Sequence, residues 1–319
     1  KNCIGIILGN GLVNCLGGFI WDFEKAPYRA APSAAFYFEA KNGDKTVLSF
    51  EADENIKTHP SPILFDDLRS GVIYDARLEI PDWCKPGFDD KDWTPAIKAD
   101  TLRGEPVDFD TDKLSFSEVL DAVSFEQGKE QEVQIPSCKR PMPPSVPVME
   151  NDKQGYVYDF GKNSAGIPIF KIKGKPGQMI ALQFSEYFRD GVYSYENINR
   201  FYPDGYTQRD YYICRGDGSE ETFMPPFTYH GAQYCTVIGA EKEQLDIDTV
   251  KFCVIHSDFV SRGDFDCSDR IASELQKAVR RSDLANFVYF PTDCPHREKN
   301  GWTGDASMSA EQFTLNFGV

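Results

Sequence analysis

The chain has 319 residues, with 34 Lys and Arg against 50 Asp and Glu, for a formal net charge of −16. That length suits about two domains of roughly 150 residues, and a hydrophobic content of 41% is ample for packed cores. The negative balance argues against a nucleic-acid partner, whose phosphates are gripped by cations. The longest apolar run, Ile4–Leu8, is far too short for a membrane span. Nine widely scattered cysteines include no C-x-x-C pair, so neither a structural zinc site nor a redox dithiol has its usual spacing. Buried free thiols are the plain reading. Oligomeric state and compartment are left open, whether periplasmic, secreted or cytoplasmic.

Residues 1–100 read as an N-terminal β-sandwich. Ile4–Leu8 is strand-like and ends at the turn dipeptide Asn10-Gly11; Ala34–Ala40 and Thr46–Phe50 flank Asn42-Gly43, a hairpin signal. Residues 101–147 read as a connector, because Pro136, Pro141, Pro143, Pro144 and Pro147 fall within twelve positions. Residues 148–260 read as a second β-sandwich, with strands at Tyr156–Tyr158, Ile167–Ile172, Met179–Phe184, Tyr211–Cys214, Tyr234–Ile238 and Val250–Ile255. From 261 to 319 the period becomes helical. Ser268 is placed to cap a helix carrying Ile271, Leu275, Ala278, Val279 and Ala285; a loop follows over 288–304, then a second helix from about Asp305. One helix and part of another cannot bury their own apolar stripes, so this segment reads as the beginning of a helical domain.

The densest chemistry lies in that loop. Asp293, Glu298 and Asp305, with Arg297 and Trp302, fall within thirteen residues. Sugar hydrolysis uses such a set: one protonated carboxyl to donate to the glycosidic oxygen, other acids to bind hydroxyls, and an aromatic plate for the sugar's apolar face. Carboxylates crowded beside a desolvating indole also raise one another's pKa, as a general acid near neutral pH requires. A charged loop whose acids cap the next helix is the plainer alternative on composition alone. Elsewhere, Gly9-Asn-Gly11 lacks the third glycine of a dinucleotide loop, His230 reads as a locally bonded histidine, and Trp83 and Trp93 read as core aromatics.

The loop Asp293-Cys-Pro-x-Arg-Glu-x-x-Gly-Trp-Thr-Gly-Asp305 resembles the catalytic-loop motif of bacterial α-L-rhamnosidases, glycoside hydrolase family 78. Leu8-Gly-Asn-Gly11, Tyr74-Asp-Ala-Arg77 and Gly87-Phe-Asp-Asp-x-x-Trp93 are similar to that family's N-terminal sandwich. Tyr158-Asp-Phe-Gly161 and Pro226-Phe-x-Tyr-His-Gly231 are similar to its second β-domain. The resemblance implies a mainly β architecture of two antiparallel, jelly-roll-like sandwiches followed by the start of an (α/α)6 barrel. It also implies an inverting hydrolase that releases terminal α-L-rhamnose from glycosides or polysaccharides. By position, Glu298 matches the general acid, Asp293 and Asp305 the acids that hold sugar hydroxyls, Trp302 the aromatic wall, and Arg297 the pocket lining. The family's general base is a Glu on a much later barrel helix, beyond this sequence, so the chain alone is expected to be inactive. Here His296-Arg-Glu-Lys299 is one residue shorter than the corresponding stretch of many members, but the spacing from Glu298 to Trp302 to Asp305 is kept. No organic cofactor is implied. Some relatives bind rhamnose through calcium in the N-terminal domain, for which Asp66 and Asp67 would offer oxygen ligands, with a solvated turn as the plainer reading. Two rival functions stay open: an inactive carbohydrate-binding protein, and a different α/α-barrel glycosidase.

Overall fold

In the computed structural model, residues 3–15, 23–99, 107, 111–132, 149, 153–199 and 208–318 are described. The proline run at 136–147 lies outside them, as does Cys138. The protein is mainly β, with two long helices only near its C-terminal end.

The organising element is a 19-residue strand, Gln154–Ile172. Its first half pairs antiparallel with His230–Ile238 and Ser124–Glu130, and its second half with Val250–Ser257 and Glu221–Phe223. The sequence reading breaks this strand into two pieces, Tyr156–Tyr158 and Ile167–Ile172. The polar stretch Asp159–Ser164 explains the break, yet it stays in the ladder through a register shift opposite Ala232 and Tyr234. From His230–Ile238 the sheet continues through Met179–Ser185 to Arg209–Ile213. Residues Met179–Ser185 are buried on both faces, which is why their apolar residues, Ile180, Ala181 and Leu182 among them, do not alternate with polar ones. Tyr158, Phe170, Ile180, Leu182, Phe184, Tyr212, Val237 and Phe252 form one core, in which the rings of Phe160 and Phe252 stack at 5.2 Å.

Segments from outside 148–260 also pair in this sheet. Leu114–Asp121 pairs with Val250–Ser257, so much of the expected connector is strand. The hairpin Ile63–Asp67 and Gly71–Asp75 also joins, through a parallel pairing of Ile73–Asp75 with Tyr211–Ile213, and it sends Val72 and Ala76 into the same core. Edge-strand pairings of this kind leave no trace in local periodicity. The hairpin predicted around Asn42-Gly43 is present as Tyr37–Asn42 with Lys45–Glu51. Ile4–Leu8, by contrast, is not a strand: it has no ladder partner and its side chains are half exposed, while Gly5 lies flush against the Trp83 ring. Trp83 and Trp93 stack at 6.2 Å, joined by Phe88 and His59, in a partly exposed aromatic cluster.

The two long helices are α1 (Arg270–Ala285) and α2 (Thr303–Asn316). Asp269, not Ser268, caps α1: its carboxylate accepts from Ile271 N at 2.8 Å and Ala272 N at 3.3 Å, and its charge suits the helix N-terminus. Asp269→Ala should therefore cost about 1 kcal/mol in a urea-unfolding measurement, whereas Ser268→Ala should cost much less. Phe259, Phe287, Phe313 and Phe317 form an aromatic cluster that joins α2 to the segments on either side of α1. Ile271, Leu275, Met308 and Leu315 remain exposed on their outer faces, as expected of stripes that two helices cannot cover. No described helix is long and apolar enough to cross a membrane.

Candidate active site

The loop between α1 and α2 is braced both by its own polar side chains and by groups from the β-domains. Asp293 closes it: Asp293 N donates to Asn300 O at 3.0 Å, and Asn300 N donates back to Asp293 Oδ1 at 3.0 Å. Cys294, buried, donates its thiol to Asp293 Oδ2 and accepts from Glu298 N at 3.4 Å. Lys299 adopts a left-handed φ of 52°, which turns the chain sharply between Glu298 and Asn300.

Glu298 sits at the centre of this frame. Trp302 Nε1 donates to its Oε2 at 3.0 Å, and the Glu298 side chain retains 12% of its exposure while the indole keeps 47%. Arg297 Nε lies 3.5 Å from Glu298 Oε1, and Arg297 also donates to Asn197 O at 3.0 Å, which ties the loop to the second β-domain. Burial is the main reason the Glu298 carboxyl titrates above the usual glutamate range. The neighbouring Asp293 carboxylate adds to the shift, whereas the Trp302 indole and the Arg297 guanidinium oppose it.

Of the five residues singled out in the sequence, the structure gathers four: Asp293, Arg297, Glu298 and Trp302. Asp305 stands apart, exposed in the first turn of α2, with no hydrogen bond or ion pair from its carboxylate among the described residues. Asp66 and Asp67 are not a solvated turn. Both are buried, Asp66 Oδ2 accepting from Asn10 N and Asp67 Oδ1 from the backbone of Arg69 and Ser70. Among the described residues, no group of three His, Cys, Asp or Glu is placed to hold a metal ion. His230 is a core residue, bonded to Asp210 at 2.7 Å and stacked on Phe184 at 4.1 Å. The eight described cysteines are free thiols.

Sequence reasoning misses Lys299. Its side chain is fully enclosed, and its Nζ donates to Leu68 O at 2.6 Å and to Tyr229 O, 4.4 Å from the Tyr229 ring centre. Burial without a bonded carboxylate, beside Arg69, lowers its pKa to about 7, against the weaker pull of Asp67 and Asp210. A neutral amine has two N–H donors, enough for both carbonyls. Because the folded value lies below the unfolded one, the unfolded chain holds the extra proton between about 7 and 10.5. Across that window this side chain adds stability as pH rises, by up to about 1.4 kcal/mol per unit. The stability of the wild type relative to Lys299→Met should thus rise from pH 7 to pH 9 in urea titrations. A gap that stays constant over that range contradicts an amine neutralised by burial.

With the geometry in place, three family models match the chain in order. The α-L-rhamnosidase N-terminal domain matches residues 1–118, the bacterial α-L-rhamnosidase concanavalin-like domain residues 149–256, and the bacterial α-L-rhamnosidase six-hairpin glycosidase domain residues 261–319. The chain belongs to the bacterial α-L-rhamnosidase family. Among similar rhamnosidases, an α-L-rhamnosidase of Formosa agariphila is 29% identical, over 99% of this chain and 31% of its own length. The crystal structure of the Streptomyces avermitilis α-L-rhamnosidase complexed with L-rhamnose superposes with a TM-score of 0.80 at 25% identity, covering 97% of this chain and 27% of that one. That of Dictyoglumus thermophilum gives 0.71 at 29% identity, covering 86% of this chain and 28% of that one. The chain thus spans about 30% of the length of the curated rhamnosidases it matches. The predicted mainly β architecture leading into a helical segment agrees with these relatives.

Proposed function

We propose that the protein is a glycoside hydrolase that releases terminal α-L-rhamnose from glycosides or polysaccharides, with Glu298 as general acid. The observation that carries this reading is the Glu298 carboxyl itself. It is partly buried against a half-exposed indole and beside Asp293, so it stays protonated to a higher pH than an ordinary glutamate while 12% of the side chain stays exposed. In this reading Trp302 does two jobs: its ring faces the sugar, and its N–H fixes the orientation of the acid. Asp293 serves mainly as a neighbouring negative charge and a loop brace, and Arg297 lines the edge of the pocket. Asp305 reaches the sugar only as an outer contact from the helix start. Membership of the rhamnosidase family and the structural likeness to an enzyme complexed with L-rhamnose support L-rhamnose as the glycone.

The reaction proposed is a single displacement with inversion, whose second carboxylate sits about 6.5–9.5 Å from the first to leave room for water. Assay of the full-length protein on a panel of aryl glycosides, with proton NMR of the first-formed anomer, tests the reading. Turnover confined to the α-L-rhamnoside, with the β-anomer appearing first, supports it. Turnover of another glycoside instead points to a different specificity on the same frame, and retention of configuration removes the inverting mechanism.

A further inference from the structure

We infer that Arg69, on the β-hairpin turn between Ile63–Asp67 and Gly71–Asp75, is a positioning residue for the Glu298 loop. The residues around it show a two-way clasp between segments about 230 positions apart. Arg69 Nε donates to the backbone carbonyl of Glu298 at 2.5 Å, and its Nη2 donates to the Asn300 side-chain oxygen. In return, Lys299 Nζ donates to the carbonyl of Leu68 at 2.6 Å. Neighbours thus exchange side-chain-to-backbone bonds: Arg69 holds the residue before Lys299, and Lys299 holds the residue before Arg69.

The hairpin turn is a stiff base for this clasp. Asp67 Oδ1 accepts from Arg69 N at 3.0 Å and from Ser70 N at 2.8 Å, and Thr228 Oγ1 donates to Leu68 O as well. The guanidinium is enclosed, bonded through Nη1 to Cys15 Sγ at 3.0 Å and set 5.0 Å over the Phe23 ring. A planar fork with fixed donors can hold a carbonyl and an amide oxygen together, which a lysine ammonium on a flexible stem cannot do in the same geometry. Arg69 therefore acts through the main chain. The groups that act on the carboxyl itself are Trp302, Asp293 and Arg297. Fixing the Glu298 carbonyl and the Asn300 side chain on either side of the Lys299 turn sets the backbone from which the Glu298 side chain reaches Trp302.

This inference rests on Glu298 being the acid, and the test separates the two claims. In the full-length protein, Arg69→Lys should lower kcat on an unactivated rhamnoside by about 10–100-fold, with KM little changed, because misplacing a reacting group by about 1 Å can cost that much. The second readout needs no catalysis. The Trp302 indole N–H resonance, assigned by its loss in Trp302→Phe, follows Glu298 ionisation because the indole donates to that carboxyl. In Arg69→Lys its titration midpoint should fall toward that of an ordinary glutamate as the carboxyl leaves its buried position. A folded Arg69→Lys protein with unchanged kcat and an unchanged indole titration overturns the inference. If Arg69→Lys does not fold, Asn300→Ala removes one of the fork's two acceptors and is read the same way. A lowered indole midpoint then supports the positioning role, and an unchanged midpoint with unchanged kcat overturns it. Should Glu298→Gln keep full turnover, the acid assignment falls, while the indole titration still decides the positioning role.

Discussion

Glu298→Gln should lower kcat on an alkyl or sugar-linked α-L-rhamnoside by about 10²–10⁴-fold, the usual contribution of a positioned general acid. Glutamine matches the shape of glutamate, and its amide oxygen can still accept from the Trp302 indole, so the loop should stay folded and the thermal melting point should move little. What is lost is the proton. The deficit should therefore shrink with an activated leaving group such as dinitrophenolate, which departs without protonation. The pH profile gives a second check, with a definite sign. An acid works only while protonated, so activity should be lost as pH rises through the pKa of Glu298, which burial and Asp293 place above the ordinary glutamate value. In Glu298→Gln that alkaline limb should disappear. An equal loss on activated and unactivated substrates would assign Glu298 to binding rather than proton transfer.

Gly231→Ala should damage both stability and turnover, although it lies outside the loop. Gly231 lies in the strand His230–Ile238, where a Cβ would sit 2.7 Å from Pro295 Cγ, 2.9 Å from the Pro295 carbonyl carbon and 3.0 Å from His296 N. The strand cannot retreat, because Gly231 N donates to the Gln208 side chain at 2.8 Å and Gly231 O accepts from the same side chain at 3.1 Å, all buried. The acid loop must yield instead, three residues before Glu298. Overpacking of this kind costs about 1–3 kcal/mol. The accompanying displacement of the acid should reduce kcat by about 10²-fold. Denaturant unfolding and steady-state kinetics on the same preparation measure both. A stable variant with normal kcat would show that the loop adapts without moving Glu298.

Both predictions concern one arrangement: an acid loop pressed against the edge of a β-domain whose sequence motif, Pro226-Phe-Thr-Tyr-His-Gly231, reads as a local packing run. His230 does pack locally, on Asp210 and Phe184. Its neighbours on either side serve the loop. Tyr229 offers its carbonyl and ring to Lys299, and Gly231 leaves room for Pro295.

The sequence by itself determined the mainly β class, the hairpin at Asn42-Gly43, most strands of the second domain, both helices, and the candidate acid with its indole partner. Each of these is carried by local information: turn dipeptides, period, and residues only four apart, as Glu298 and Trp302 are. Tertiary structure alone decided that Ile63–Asp75 and Leu114–Glu130 enter the large sheet, that Ile4–Leu8 does not form a strand, and that Asp66 and Asp67 serve backbone donors. It also decided that a hairpin turn near residue 69 holds the acid loop, and that Lys299 is a buried, near-neutral amine rather than a surface charge. The physical reason is shared. Strand partners and the dielectric around a charge are set by groups distant in the chain, whereas the pattern that announces a turn, a cap or a helix is written within a few residues of itself.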